Sequence, residues 1–93
     1  MTKYTINYFI EKFEKIPDNM WATDWYEDGE RKCALGWCGA TEKDGIPSYT
    51  EESMALANIF GVGMISKIND GYEPFFNQET PKSRILAALK SKQ

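Results

Sequence analysis

Ile6, Phe9, Ile10, Phe13 and Ile16 recur at spacings of three, four, three and three residues, the period that collects apolar side chains on one face of an α-helix. Thr5 stands where an N-cap hydroxyl belongs, Pro17 stops the run, and Glu11, Lys12, Glu14 and Lys15 fall on the opposite face. A helix with one apolar face must bury it against something else, and a chain of 93 residues has room for one core. The 42% hydrophobic and 14% aromatic content supplies that core without a metal or a disulfide framework.

The remaining elements follow from changes of period and from turn residues. Between Met20 and Leu35 the composition shifts to aromatics, threonine and charges around Asp28-Gly29, a pair suited to a tight hairpin turn. A two-residue turn there sets Trp25 across from Lys32 and Tyr26 across from Arg31. Both faces of that ribbon are mixed, so pattern specifies its register weakly. Thr41 to Ser48, with Asp44-Gly45 and Pro47, reads as a polar turn leading to a helix that starts at Ser48 or Thr50. Leu56, Ile59 and Phe60 form the buried edge of that helix, and Gly61 ends or breaks it. Ile65 and Ile68 share a face of the next segment, which Asn69-Asp70-Gly71 terminates. Gly71 to Glu79 reads as a loop whose Phe75-Phe76 pair folds back onto the core. Thr80-Pro81 then opens a last helix with Ile85, Leu86, Ala88 and Leu89 on its buried side. The expected fold is a small single α+β domain spanning residues 1–93, about three or four helices packed with a short β-hairpin.

A net charge of -3 and a pI of about 4.9 argue against general nucleic-acid binding, which needs a basic surface to displace counterions. The charges are uneven. Asp18, Asp24, Glu27, Asp28 and Glu30 precede Arg31 without an intervening base, whereas Lys82, Arg84, Lys90 and Lys92 crowd the C-terminal end. They read as two solvated faces of opposite sign, or as attraction for a charged partner. The N-terminal residues carry no apolar run of signal-peptide or membrane length, so a cytoplasmic chain with no membrane association is expected. Its two cysteines are then expected as reduced thiols.

Both cysteines lie in the stretch RKCALGWCGA, Arg31 to Ala40. Two cysteines and no histidine fall short of a structural zinc set, so no metal and no cofactor are expected. A separation of five residues puts the thiols on different faces of a helix or strand, which disfavours a resting redox pair. No histidine stands ready as base for a nucleophilic Cys33 or Cys38, so no catalytic residue is assigned, and a small hydrophobic role for both thiols is favoured. Gly36 and Gly39 read as turn or close-approach positions, because neither GWCGA nor GVG has the context of a phosphate cradle. Trp21, Trp25 and Trp37 read as core, with a binding surface near an exposed turn as the alternative.

GERKCALGWCGA, YTEESMAL, ISKINDG and TPKSRILAALK together resemble a group of small uncharacterised proteins encoded by bacteriophages, prophages and bacteria. The resemblance covers roughly Trp21 to Lys90 and carries no activity with it. It implies that Cys33, Ala34, Leu35, Gly36, Asn69 and Asp70 are the matching motif positions, and that the setting is a phage or other mobile element. Cys33 and Asn69-Asp70 either form a polar pocket, or the Asn-Asp pair hydrogen-bonds backbone at a helix end, the latter being favoured.

The functional expectation is a non-enzymatic binding protein of phage type that occupies a host protein or a small ligand, with Trp25, Arg31, Trp37, Asn69 and Asp70 as candidate binding residues. Two alternatives stand beside it. One is a sponge for a nucleotide-like messenger in phage counter-defence, with tryptophan and Arg31 beside its pocket; the other is a small enzyme using Cys33 or Cys38 as nucleophile.

Overall fold

The N-terminal stripe folds as the sequence predicts. In the computed structural model, α1 (Ile6–Glu14) buries Phe9, Ile10 and Phe13, and the Thr5 hydroxyl accepts a hydrogen bond from the Tyr8 amide at 3.1 Å. The structure describes residues 4–23, 27–71 and 79–93, and the side chains of Glu27, Asp28 and Val62 lie outside that description. The predicted positions of Trp25, Tyr26 and the Phe75-Phe76 pair therefore fall outside the described residues.

After a single 3-10 turn at Asp18–Met20 come β1 (Glu27–Asp28), β2 (Arg31–Lys32) and α2 (Ala34–Trp37). Next follow β3 (Thr41–Lys43), β4 (Ile46–Ser48), α3 (Glu51–Phe60), α4 (Val62–Asp70) and α5 (Pro81–Ser91). The fold is α+β, with five α-helices among the described residues where three or four were predicted. The extra elements are the four-residue α2 and the split of one helical region at Gly61, whose φ of 95° ends α3 and begins α4.

Threonine caps set where the long helices begin. In α3 the Thr50 hydroxyl accepts from the Ser53 amide while the Ser53 hydroxyl accepts from the Thr50 amide; Thr80 and Ser83 repeat the arrangement at α5. α1 packs on α5, α4 packs on both α3 and α5, and α2 sits against α3, α4 and α5. Phe9, Phe13, Leu35, Leu56, Ile65, Ile68, Ile85 and Leu89 are almost wholly buried between them. Trp21 closes one side, edge-on to Phe13 with ring centroids 5.2 Å apart. Ile59, Phe60 and Leu86 are half-buried at the margin of this cluster rather than inside it.

The first hairpin differs from its predicted register. Glu27 pairs with Lys32 and Asp28 with Arg31, so the turn is Gly29-Glu30 and not Asp28-Gly29. Arg31 thus has Asp28 opposite it, and Lys32 has Glu27, in place of the expected Tyr26 and Trp25. Gly29, at φ 66°, takes the first central position, where a type II′ turn needs a left-handed residue. Lys32 also bridges to Trp21 on its other side, with the Ala22 amide donating to the Lys32 carbonyl at 3.0 Å.

Thr41 to Ser48 is a second hairpin and not merely a polar turn. Asp44 and Gly45 both have positive φ, 53° and 79°, the signature of a type I′ turn. The charges at the C-terminal end also divide differently from the prediction of one solvated face. Arg84 is buried, whereas Lys90 and Lys92 are exposed.

α2 ends in a Schellman motif. The Ala40 amide donates to the Leu35 carbonyl and the Gly39 amide to the Gly36 carbonyl, each at 3.0 Å. Gly39 has φ 97°, and a Cβ there would lie 2.7 Å from Cγ2 of Thr50. Gly39→Ala is therefore expected to destabilise the chain by about 2 kcal/mol through backbone strain and overlap, measured as a lower urea midpoint with an unchanged slope.

Candidate functional site

Three segments singled out by the sequence meet at the side chain of Asn69, which is 1% exposed. Its Oδ1 accepts from the Ala34 amide at 3.0 Å, and its Nδ2 donates to the Ala22 carbonyl at 2.9 Å and to Oδ1 of Asp70 at 3.0 Å. Arg84 approaches from α5. Its Nε donates to the Ile68 carbonyl at 3.0 Å and its Nη2 to the Asn69 carbonyl at 2.8 Å. The guanidinium thus satisfies the carbonyls at the C-terminus of α4, where the helix dipole favours a cation.

Cys33 caps α2 at the same place, its Sγ accepting from the Gly36 amide at 3.4 Å. Burial pushes the Cys33 thiol pKa up, outweighing the backbone hydrogen bonds that lower it, and the nearby Asp70 carboxylate adds to the rise. The Cys33 and Asn69-Asp70 positions do lie together. The Asn69 amide is engaged by backbone of α2 and of the segment at Ala22, not by the end of its own helix alone.

Arg31 and Trp37 are placed elsewhere. Arg31 is exposed on β2. Trp37, half-buried at the end of α2, carries Nζ of Lys32 5.3 Å from its ring centroid. Its indole Nε1 and that of Trp21 are buried and meet no hydrogen-bond acceptor among the described residues.

Cys38 is also buried, and desolvation, followed by the charge of Glu52, pushes its pKa upward. Glu52 belongs to a half-buried polar cluster between α1 and α3. The Tyr8 hydroxyl donates to its Oε1 at 2.6 Å, and Nζ of Lys12 forms an ion pair with its Oε2. Burial acts to raise the Glu52 pKa, but the bonds from Lys12 and Tyr8 prevail and hold it below the usual carboxylate value. The same hydrogen bond, with burial, raises Tyr8 to about 12. No group of three metal-ligating side chains occurs among the described residues.

The β3–β4 hairpin has a different character. Every residue from 41 to 48 is exposed, and Ile46, beside the turn, is 71% exposed. Its base is clamped: Ala40 is buried, Gly39 abuts Thr50, and the Thr50 hydroxyl donates to the Cys38 carbonyl. The ribbon is thus held at its base and buries none of its own residues.

The chain matches no protein-family model, no curated protein and no solved structure. The candidate site therefore rests on geometry.

Two residues that matter here carry little sequence signal. Arg84 stands among surface lysines in the sequence, and only its neighbour Ile85 marks the buried face of α5. Ile46 lies in a stretch that reads as a polar turn, and its one signal is Asp44-Gly45 followed by an apolar residue.

Asn69→Ala leaves the Ala34 amide and the Ala22 carbonyl buried without partners, an expected loss of about 3 kcal/mol in chemical denaturation. Glu52→Gln tests the polar cluster. Because the folded-state pKa of Glu52 is lowered, its carboxylate stabilises the fold above the unfolded pKa and ceases to do so as pH falls through the folded value. The stability gap between wild type and Glu52→Gln is expected to be full at neutral pH and to close below about pH 4, followed by urea melts across pH.

Proposed function

We propose that this chain is a non-enzymatic binding protein that acts by occupying a partner protein through the β3–β4 hairpin. The observation that carries the reading is the exposure of Thr41 to Ser48 in full, on a base held by Gly39, Ala40 and Thr50. An isolated two-stranded ribbon is marginal in water. Presenting it to a partner gives its exposed Ile46 something to bury against.

A non-catalytic role is supported by the state of the reactive groups. Both thiols are buried with raised pKa values, the opposite of what a cysteine nucleophile needs. The amide of Asn69 is engaged by backbone. The phage or prophage setting, with a bacterial host protein as partner, follows from the resemblance of the Cys-Ala-Leu-Gly and Ile-Asn-Asp segments. A cytoplasmic location belongs to the same reading, and no helix among the described residues is long and apolar enough to cross a membrane. The messenger-sponge alternative draws on Trp37 and Arg31, which lie on α2 and β2 rather than on the hairpin.

The test is capture from a bacterial lysate by wild-type protein and by Ile46→Asp. Because Ile46 is so exposed, the substitution is expected to change stability by no more than about 0.5 kcal/mol. A discrete protein retained by wild type and lost with Ile46→Asp is the expected result. Equal retention by the two proteins, or retention by neither, contradicts the proposal. Stabilisation by a nucleotide panel without any protein capture turns the reading to the messenger sponge.

A further inference from the structure

The two outer edges of the second hairpin are not alike. Across a two-residue turn the flanking residues, Lys43 and Ile46, exchange the ladder hydrogen bonds. The alternation of an antiparallel ladder then makes Glu42 and Pro47 the pair whose backbone groups point outward. On β4 the outward residue is a proline, which has no N–H, so that edge offers no donor and the ladder loses nothing by it. On β3 the outward residue is Glu42, with both an N–H and a carbonyl, and no described residue pairs with either. One edge is closed and the other is open to an added strand.

A second copy of the chain is a poor occupant. An antiparallel two-fold pairing of β3 with itself must set outward residues opposite outward residues. Centred on Glu42, it places Glu42 against Glu42; centred on Lys43, it places Lys43 against Lys43 and Glu42 against Asp44; centred on Thr41, it must seat the second chain against Ala40, which is buried at the base of the ribbon. Like charges directly opposite each other are destabilising, and proteins use such charges to protect edges from self-association. The same charges favour a foreign strand of complementary pattern.

We propose that the outer edge of β3 is a strand-addition site for an extended segment of a partner protein. That segment pairs antiparallel with the Glu42 backbone and carries a lysine or arginine opposite Glu42 and an acidic residue opposite Lys43. The inference rests on the reading of the hairpin as the partner-binding element, and it names the partner's local structure and charge. Main-chain bonds supply the attachment and the two charges select the register.

The probes are two short peptides of alternating threonine and valine, one with a central lysine next to a glutamate and one with those charges reversed. Each is titrated into the full chain by NMR, following the Glu42 amide. The lysine-centred peptide is expected to slow exchange of the Glu42 amide and to bind about tenfold more tightly than its reverse, the worth of two cross-strand pairs changed from like to opposite charge. Glu42→Lys is expected to abolish that preference, and the double exchange Glu42→Lys with Lys43→Glu to invert it. An unperturbed Glu42 amide at peptide saturation, perturbation confined to the β4 side, or an unchanged preference in Glu42→Lys overturns the proposal. Loss of the captured lysate protein with Ile46→Asp but not with Glu42→Lys also overturns it, while leaving the hairpin reading intact.

Discussion

The carboxamide of Asn69 holds together parts of the chain that the sequence keeps far apart. It accepts from the first amide of α2 and donates to the carbonyl of Ala22, in the segment that flanks β2. Both bonds are buried, where an unmet amide or carbonyl is costly, so the registry of α4 against α2 and against the Trp21-Ala22 segment is set by hydrogen-bond satisfaction as well as by apolar packing. Arg84 extends the same junction into α5 by covering the carbonyls at the end of α4. Cys33 caps the start of α2 a residue before the amide that Asn69 binds. The positions singled out by resemblance thus converge on one structural joint.

This convergence changes how the cysteine-rich stretch is understood. Arg31 to Ala40 is the passage from the first ribbon, through one turn of helix, to the base of the second ribbon. Cys33 opens that turn, Leu35 is buried in the core, and Gly39 permits the Schellman exit against Thr50. The stretch delivers Ala40 to a fixed place, and the exposed hairpin departs from there. The same local chemistry that removes the thiols from solvent roots the ribbon proposed to meet a partner.

Elements whose signals are local were legible in the sequence. The stripe of α1, the threonine caps of α3 and α5, and the Asn69-Asp70-Gly71 end of α4 each depend on residues within a few positions of one another. The buried role of Arg84 was not legible, because the carbonyls it serves are 16 and 15 residues away and an arginine on a helix usually faces water. The second hairpin was obscured for another reason. With every residue from 41 to 48 exposed, no alternation of apolar and polar side chains marks its strands. The first hairpin slipped in register because Asp28-Gly29 and Gly29-Glu30 are both acceptable turns and its mixed faces do not choose between them. Of the candidate binding residues, Asn69 and Asp70 sit at the joint, Arg31 and Trp37 lie on β2 and α2, and Trp25 is outside the described residues.

The fold divides into a joint locked by Asn69 and a hairpin that belongs to the surface. Native-state amide hydrogen exchange on the intact chain measures both parts at once. The Ala34 amide, bonded to Asn69, is expected to exchange only through global unfolding, while the outward Glu42 amide exchanges with little protection. An Ala34 amide that exchanges as readily as Glu42, or a Glu42 amide protected to the level of the core, would contradict that division.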